Sequence, residues 1–141
     1  MSQLLRSATD GDRAGPGDAV TAGERFARAL AAKDGDGLCA VLSDPVDFVA
    51  LTPGRVWQAG TGREAVEEII LACWFGPGDD ITGLCSVTSG QVAEREHVAY
   101  RVRVPRSARD YLVEQQAYYR TAGSRITWMR VLCSGYQPLP A

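Results

Sequence analysis

Three runs of alternating apolar and polar residues fill most of the second half of the chain, at residues 92–105, 111–120 and 125–134. They are rich in Val, Tyr, Ile, Thr and Trp, and short polar or glycine-containing breaks separate them, which is typical of consecutive antiparallel strands. Residues 81–89 predict a further strand immediately before them. The pattern therefore predicts four long strands that pair in chain order as a meander.

The first half of the chain shows the spacing of helices instead. Thr21 followed by Glu24, and Thr61 followed by Glu64, are capping-box patterns that predict two helix starts. The helix over 61–74 has apolar residues at intervals of three and four, and they are Val66, Ile69, Ile70, Cys73 and Trp74. This spacing predicts an amphipathic helix that packs on the sheet.

A short helix over 38–42 and a hairpin of two short strands, 46–52 and 55–59, are predicted between those two helices. We expect the hairpin to be peripheral. The whole order predicts an α+β fold, in which N-terminal helices cover one face of a curved antiparallel sheet.

Composition narrows the class of protein. The 141 residues are 45% hydrophobic and 23% charged, which fits one globular domain. Residues 1–17 lack an apolar period and predict a flexible N-terminal tail before a single domain over 18–141. A net charge of -2 without a basic stripe argues against nucleic-acid binding. With neither a signal-peptide core nor a membrane-spanning run, we expect no membrane partner and a cytoplasmic location.

The cysteines and the histidine indicate no metal site. The four cysteines contain no Cys-x-x-Cys pair and lie among apolar residues, which predicts buried, reduced thiols at Cys39, Cys73, Cys85 and Cys133. With a single histidine in the chain, a structural zinc site is not expected.

Side-chain alternation sorts the meander into two faces. If the breaks at 106–109 and 121–124 close with two or four residues, one face carries Arg95, His97, Ala99, Arg101, Glu114, Gln116, Tyr118, Thr127, Met129, Val131 and Cys133. The other face carries Val98, Tyr100, Val102, Val104, Val113, Ala117, Tyr119, Ile126, Trp128, Arg130 and Leu132. A three-residue loop at either break would shift these pairings by one.

The order of elements resembles a known family, as does the run VALTPGRVWQAG over 49–60, which leads into GREAV over 62–66. Both are similar to the nuclear transport factor 2-like superfamily. The likeness is to its SnoaL-like branch of polyketide cyclases, with limonene-epoxide hydrolase and ketosteroid isomerase. The similarity covers about residues 19–137. It implies a cone-shaped α+β barrel around one deep apolar pocket, and a homodimer joined through the outer face of the sheet.

Matching positions differ from the epoxide hydrolases. Residues 92–97 resemble the strand that supplies an Arg and an Asp two apart in those enzymes, but His97 stands in place of the Asp. Residues 125–131 resemble the strand that supplies their second Asp, which here is Val131. The resemblance therefore does not imply epoxide hydrolysis by that acid pair.

The ketosteroid isomerase pattern is missing as well. The base Asp of those enzymes corresponds to Leu51 or Thr52, and their oxyanion-binding acid corresponds to about Gln116. Steroid isomerisation by that mechanism is therefore not implied.

His97 is the candidate catalytic base, because its unperturbed pKa lies near neutrality. In a pocket, Arg95, Gln116 or Tyr118 would stabilise negative charge that develops on a substrate, with Glu114 close by. The alternative is a solvated strand surface on which Glu114 simply forms an ion pair with an arginine of the next strand. Further ligand contacts are expected from Trp57, Trp74, Met129 and Val131.

The face that lines the pocket stays open from sequence. The resemblance places the face with His97 inside, whereas burial alone places the more apolar face against the helices. The two agree only if a second subunit covers the apolar face, through Tyr100, Val102, Trp128 and Leu132.

Three functions follow as hypotheses. The first is a cyclase or isomerase that acts on a small apolar carbonyl compound without metal or organic cofactor. The second is a protein that binds such a molecule in the same pocket without chemistry. The third is a dimeric adaptor whose apolar sheet face meets another protein.

Overall fold

A computed structural model describes residues 20–140. The predicted tail over 1–17 therefore lies outside the described residues, and the predicted domain is described from residue 20 onwards. The helices are α1 (Ala22–Ala31), α2 (Gly35–Val41), α3 (Gly62–Glu64) and a π-helix (Ala65–Trp74) that continues α3. The strands are β1 (Leu42–Thr52), β2 (Arg55–Ala59), β3 (Gly83–Val92), β4 (Arg95–Arg106), β5 (Arg109–Ala122) and β6 (Arg125–Pro138).

The six strands form one curved, open sheet in the order β2-β1-β6-β5-β4-β3. The predicted meander of β3 to β6 is confirmed. The sheet is mixed rather than entirely antiparallel, because β1 pairs in parallel with β6. The prediction that both hairpin strands are peripheral is wrong for β1, which lies between β2 and β6 and buries Val46, Phe48 and Ala50. The predicted α+β class, with helices on one face of a curved sheet, is confirmed.

The capping box predicted at the start of α1 is confirmed. The Thr21 hydroxyl accepts a hydrogen bond from the Glu24 amide at 3.0 Å, and the Glu24 carboxylate accepts one from the Thr21 amide at 3.2 Å. Both amides would otherwise lack a partner at the helix start. Phe26 and Leu30 follow at helical spacing and are completely buried. The cap therefore fixes where the apolar face of α1 meets the sheet.

The helix predicted over 61–74 forms, but most of it has π-helical winding. The Phe75 amide donates to the Ile70 carbonyl at 2.8 Å, five residues back, as expected of a π-helix. This wider turn keeps Ile69, Ile70 and Trp74 buried and turns Cys73 outwards. The inclusion of Cys73 in the buried helix face is therefore wrong.

The cysteines are only partly as predicted. All four are free thiols, but Cys73 and Cys85 are exposed, and Cys39 and Cys133 are partly buried. Cys85 lies on β3, an edge strand whose side chains are mostly exposed or half-buried. Cys39 and Cys133 pack against the core. Apolar neighbours in the sequence therefore did not predict whether a cysteine side chain is buried.

Strand register confirms one of the predicted pairings and corrects the other. Between β4 and β5, His97 faces Tyr118 and Arg101 faces Glu114, as predicted. Between β5 and β6, Ala122 pairs with Arg125 and Thr121 pairs with Ile126, as predicted. The register then shifts by one residue, so that Arg120 pairs with Trp128. This bulge at Thr127 reverses the predicted faces for Trp128, Met129, Arg130, Val131, Leu132 and Cys133.

The face towards the helices is the more apolar one. Val98, Tyr100, Val102 and Val104 of β4 are each at most 1% exposed. Burial of these side chains decides the orientation, because exposing them would forfeit several kcal/mol of hydrophobic stabilisation, roughly 1.5–3 for each. The assignment that placed the face with His97 inside is therefore wrong.

Within residues 20–140, no helix has the length and apolar character that a membrane span requires. The predicted cytoplasmic location stays a prediction.

Candidate functional site

A cavity of about 480 Å³ opens where the end of the π-helix meets the turn between β1 and β2 and the last third of β6. A volume of this size suits a small molecule, since ligand pockets usually measure about 300–1,000 Å³. Its main side chains come from all of these elements and from β5, and they are Trp57, Trp74, Phe75, Gln115, Cys133 and Tyr136. The cavity thus combines aromatic walls with a few polar groups.

A second bulge in β6 shapes the cavity. Val113 pairs with Tyr136 and Gln115 pairs with Cys133, so β6 has one extra residue between them. Gly135 adopts φ +73 in this bulge, a conformation that favours glycine. A Cβ at this position would come within 2.8 Å of a Pro53 side-chain carbon in the β1–β2 turn. Glycine therefore lets β6 bend against that turn and form one wall of the cavity.

Gln115 is the buried polar group of the site, at 1% exposure. The Tyr100 hydroxyl, which is also buried, donates to Gln115 Oε1 at 2.6 Å. Burial raises the pKa of Tyr100 well above its ordinary value, so this hydroxyl stays protonated and remains a donor. The Tyr100 hydroxyl therefore satisfies the amide oxygen of Gln115, whereas Gln115 Nε2 has no acceptor among residues 20–140.

Trp74 supplies a second unsatisfied donor. Its ring packs on Phe48 and Trp57, with centroid separations of 6.1 and 6.4 Å. Trp57 Nε1 donates to Thr52 Oγ1 at 2.7 Å, whereas the buried Trp74 Nε1 has no acceptor in the described part of the chain. Leaving a buried donor unpaired costs about 1–3 kcal/mol. Two residues of the cavity lining therefore each hold a buried N–H group without an acceptor among residues 20–140.

Charged groups fix the part of the cavity wall formed by Tyr136. The Arg106 guanidinium lies 3.7 Å from the centroid of the Tyr136 ring and donates to both Asp79 oxygens, at 2.8 and 3.0 Å. These hydrogen bonds lower the pKa of Asp79. Burial raises the pKa of Tyr136 to about 12, and its hydroxyl donates to the Trp74 carbonyl at 2.6 Å. The Tyr136 ring is thus held in place by the Arg106–Asp79 ion pair that stacks on it and by the hydrogen bond from its own hydroxyl to Trp74.

The five polar residues expected in the pocket share one face of the sheet, as predicted, but that face is the outer one. His97 Nε2 lies 2.9 Å from Gln116 Oε1, and the His97 ring lies 4.9 Å from that of Tyr118. Glu114 forms an ion pair with Arg101 at 3.3 Å, with both side chains about half exposed. This pair matches the alternative of a solvated strand surface.

Arg95 stacks over Trp128 on the same face, at 5.0 Å. The expectation that Arg95, His97, Glu114, Gln116 and Tyr118 converge in the apolar cavity is therefore wrong. Their roles in catalysis or ligand binding stay predictions.

The other predicted ligand contacts divide between cavity and core. Trp57 and Trp74 line the cavity. Met129 and Val131 point to the inner side of the sheet, where they are 0% and 2% exposed within the hydrophobic core.

Gln115 is the residue that sequence reasoning missed. It lies at strand spacing between Val113 and Ala117, which both belong to the apolar face. A polar residue in an otherwise apolar alternation is the signal that could have identified it.

The titratable side chains among the lining residues are Cys73, Cys133 and Tyr136, so carboxylate and imidazole groups are not part of the lining. Over residues 20–140, no group of three or more His, Cys, Asp or Glu side chains is arranged to hold a metal ion.

No protein-family model and no curated protein matches the chain significantly. Solved structures do match its fold. An LEH-like epoxide hydrolase from M. tuberculosis is 17% identical, with 80% of each chain covered and a TM-score of 0.58. An NTF2-like protein from Burkholderia thailandensis is 10% identical, with 82% of this chain and 92% of that chain covered and a TM-score of 0.59.

A candidate polyketide cyclase from Pseudomonas putida is 15% identical, with 80% of this chain and 91% of that chain covered and a TM-score of 0.56. At these identities the matches describe the fold and not the chemistry. The helices on a curved, open sheet, the cavity at one end of that sheet and these structural matches together show that the chain has the nuclear transport factor 2-like fold.

Proposed function

We propose that this protein binds a small, largely apolar molecule with a hydrogen-bond acceptor, such as a ketone, in the cavity beside Gln115 and Trp74. The observation that carries the proposal is the pair of buried donors, Gln115 Nε2 and Trp74 Nε1, that lack acceptors within residues 20–140. Buried polar groups are nearly always hydrogen-bonded, so an acceptor bound in the cavity would satisfy the N–H groups of both residues.

The remaining lining supports an apolar ligand body. Trp57, Phe75 and Val113 provide aromatic and aliphatic walls, and the lining residues carry no charged side chain. An anionic or cationic group placed at this depth would lose its hydration without a countercharge. A neutral carbonyl is the acceptor that fits both the donors and the walls.

Binding of a matched pair of probes tests this proposal. 2-Acetylnaphthalene and 2-ethylnaphthalene have nearly the same shape, but only the first has a carbonyl. Calorimetry should show that the ketone binds about tenfold more tightly, since each hydrogen bond contributes roughly 0.5–1.5 kcal/mol.

Gln115→Met should reduce this preference to about threefold, because methionine fills a similar space without a donor while Trp74 Nε1 still donates. Gln116→Met, on the outer face next to it, is the matched control and should keep the preference. Equal affinity for ketone and hydrocarbon in the parent protein would contradict the proposal.

A cofactor-independent cyclase or isomerase is the second candidate function. The favouring observation is the Tyr100–Gln115 pair, because a neutral tyrosine that orients an amide donor would stabilise an enolate oxygen formed from a bound ketone. Such a reaction also needs a base, and Cys133 is the partly buried titratable thiol in the lining.

Deuterium exchange at the methyl group of 2-acetylnaphthalene distinguishes an enzyme from a binding protein. Exchange in D₂O that the parent accelerates and Cys133→Ser does not would support catalysis. Binding without accelerated exchange would support ligand binding without catalysis.

We also propose a homodimer joined through the outer face of the sheet. Leu51 and Leu132 are register partners there, and they are 45% and 47% exposed. Trp128 lies on the same face among arginine side chains. Of the four residues expected at the interface, Trp128 and Leu132 suit this proposal, whereas Tyr100 and Val102 are buried inside. A different protein on this face, as in the adaptor hypothesis, would appear as a mixed complex instead.

A further inference from the structure

We infer that the ligand is an acid, whose carboxylate lies at the rim of the cavity beside Arg55 while its neutral acceptor meets Gln115 and Trp74. This inference rests on the proposed function and extends it from an apolar carbonyl compound to an oxo acid. The apolar body of such a molecule would span the aromatic walls between the two polar ends.

Strand register places Arg55 on the cavity side of the β1–β2 hairpin. Arg55 pairs with Thr52, and Trp57 pairs with the buried Ala50. Paired residues of antiparallel strands point to the same face, as do residues two apart along one strand. Thr52 and Trp57 both line the cavity, so Arg55 belongs to the same side of the hairpin.

The side chain of Arg55 is held at this position. Its guanidinium carbon lies 3.5 Å from the centroid of the Trp57 ring. This stacking leaves the N–H groups at the edge of the guanidinium plane available, and that edge matches the two oxygens of a carboxylate. The residue is exposed, so a carboxylate there can keep part of its hydration.

Charge distribution distinguishes Arg55 from the other arginine near the cavity. Arg106 stacks on the cavity-lining Tyr136, but Asp79 already neutralises it through two hydrogen bonds. In the described part of the chain, the arginines within 4 Å of a carboxylate are Arg63, Arg101, Arg103, Arg106 and Arg130, and Arg55 is not among them. Within residues 20–140, Arg55 is thus a positive charge without a carboxylate partner, next to a lining without charged groups.

6-Acetyl-2-naphthoate and its primary amide test the inference, because they differ only in the charge at the end opposite the ketone. Calorimetry on the parent protein should show that the acid binds about fivefold more tightly than the amide, as expected of a partly exposed ion pair. The preference should shrink in about 1 M salt, which screens exposed charges.

Arg55→Gln should abolish the preference for the acid over the amide. Arg63→Gln is the matched control, since Arg63 is an exposed arginine on α3 whose loss changes the net charge by the same amount. It should keep the preference for the acid.

The other possible results contradict the inference, and they distinguish a failure of the Arg55 role from a failure of the proposed function. Equal affinity for acid and amide in the parent, or a preference that survives in Arg55→Gln, refutes the role of Arg55 while the binding of 2-acetylnaphthalene still supports the proposed function. If none of the ketones binds, the proposed function fails, and the inference fails with it.

Discussion

A double-mutant cycle on Tyr100 and Gln115 tests how the cavity is built. Tyr100→Phe removes the hydroxyl that donates to Gln115 Oε1 at 2.6 Å. Both residues are 1% exposed, so solvent does not replace the lost bond. Among residues 20–140, Gln115 Nε2 already lacks an acceptor, and the substitution leaves the amide oxygen unpaired as well. We expect a loss of about 2 kcal/mol in the free energy of unfolding, because an unsatisfied buried group costs roughly 1–3 kcal/mol.

Gln115→Met should behave differently. It removes an unpaired N–H group, which stabilises the protein, and leaves the Tyr100 hydroxyl unpaired, which destabilises it by a similar amount, about 1–3 kcal/mol. The net change should lie within about 1 kcal/mol of zero. With both substitutions the buried site contains only apolar groups, and the double variant should be close to the parent. The coupling between the two residues should therefore be about -2 kcal/mol.

Urea denaturation of the four proteins, followed by tryptophan fluorescence, measures this coupling. Linear extrapolation gives the free energy of unfolding, and the slopes should agree among the variants. Additive effects, with a coupling below about 0.3 kcal/mol, would refute the reasoning because they would show that the hydroxyl and the amide do not depend on each other.

Three further predictions address the helix, the tyrosines and the assembly. Ile69 is 5% exposed, so Ile69→Asp buries an unpaired charge and should cost about 3–5 kcal/mol in urea denaturation; a stable variant would remove the π-helix from the core. Burial raises the pKa of Tyr119 and of Tyr136 from 10.0 to about 12. Their contribution to stability is complete below pH 10 and is lost as pH rises towards 12, so urea midpoints should fall over that range, less steeply in Tyr119→Phe. Sedimentation should give twice the 15.2 kDa chain mass, and Leu132→Lys should shift the protein to monomer; a monomeric parent at tens of micromolar would refute the dimer.

Features that depend on neighbours in the sequence could be predicted well. The capping box of α1, the four strands of the meander and the pairing of His97 with Tyr118 all follow from local patterns. A turn that joins two strands fixes their register, and side-chain alternation carries that register along both strands. The sequence alone therefore determined which side chains of β4 and β5 lie on the same face of the sheet.

The site could be predicted only in part. Trp57 and Trp74 were expected to contact a ligand, and both line the cavity. Gln115 was missed, although its neighbour Gln116 was chosen, because a single position along a strand changes the face. The bulge at Thr127 then moved residues 128–133 of β6 to the opposite faces, and such a bulge depends on how β6 packs between two partner strands.

By itself, the sequence determined the order of helices and strands, the α+β class and the division of β4 and β5 into an apolar and a polar face, because these depend on short-range spacing. Only the tertiary structure decided which face became the interior, where β6 bulges and which buried N–H groups lack partners within residues 20–140. These outcomes depend on the burial of Val98, Tyr100 and Val102 together and on contacts between Gly135 and a turn far away in sequence. They are properties of the packed domain, since hydrophobic burial and steric fit are summed over the whole core rather than encoded at single positions.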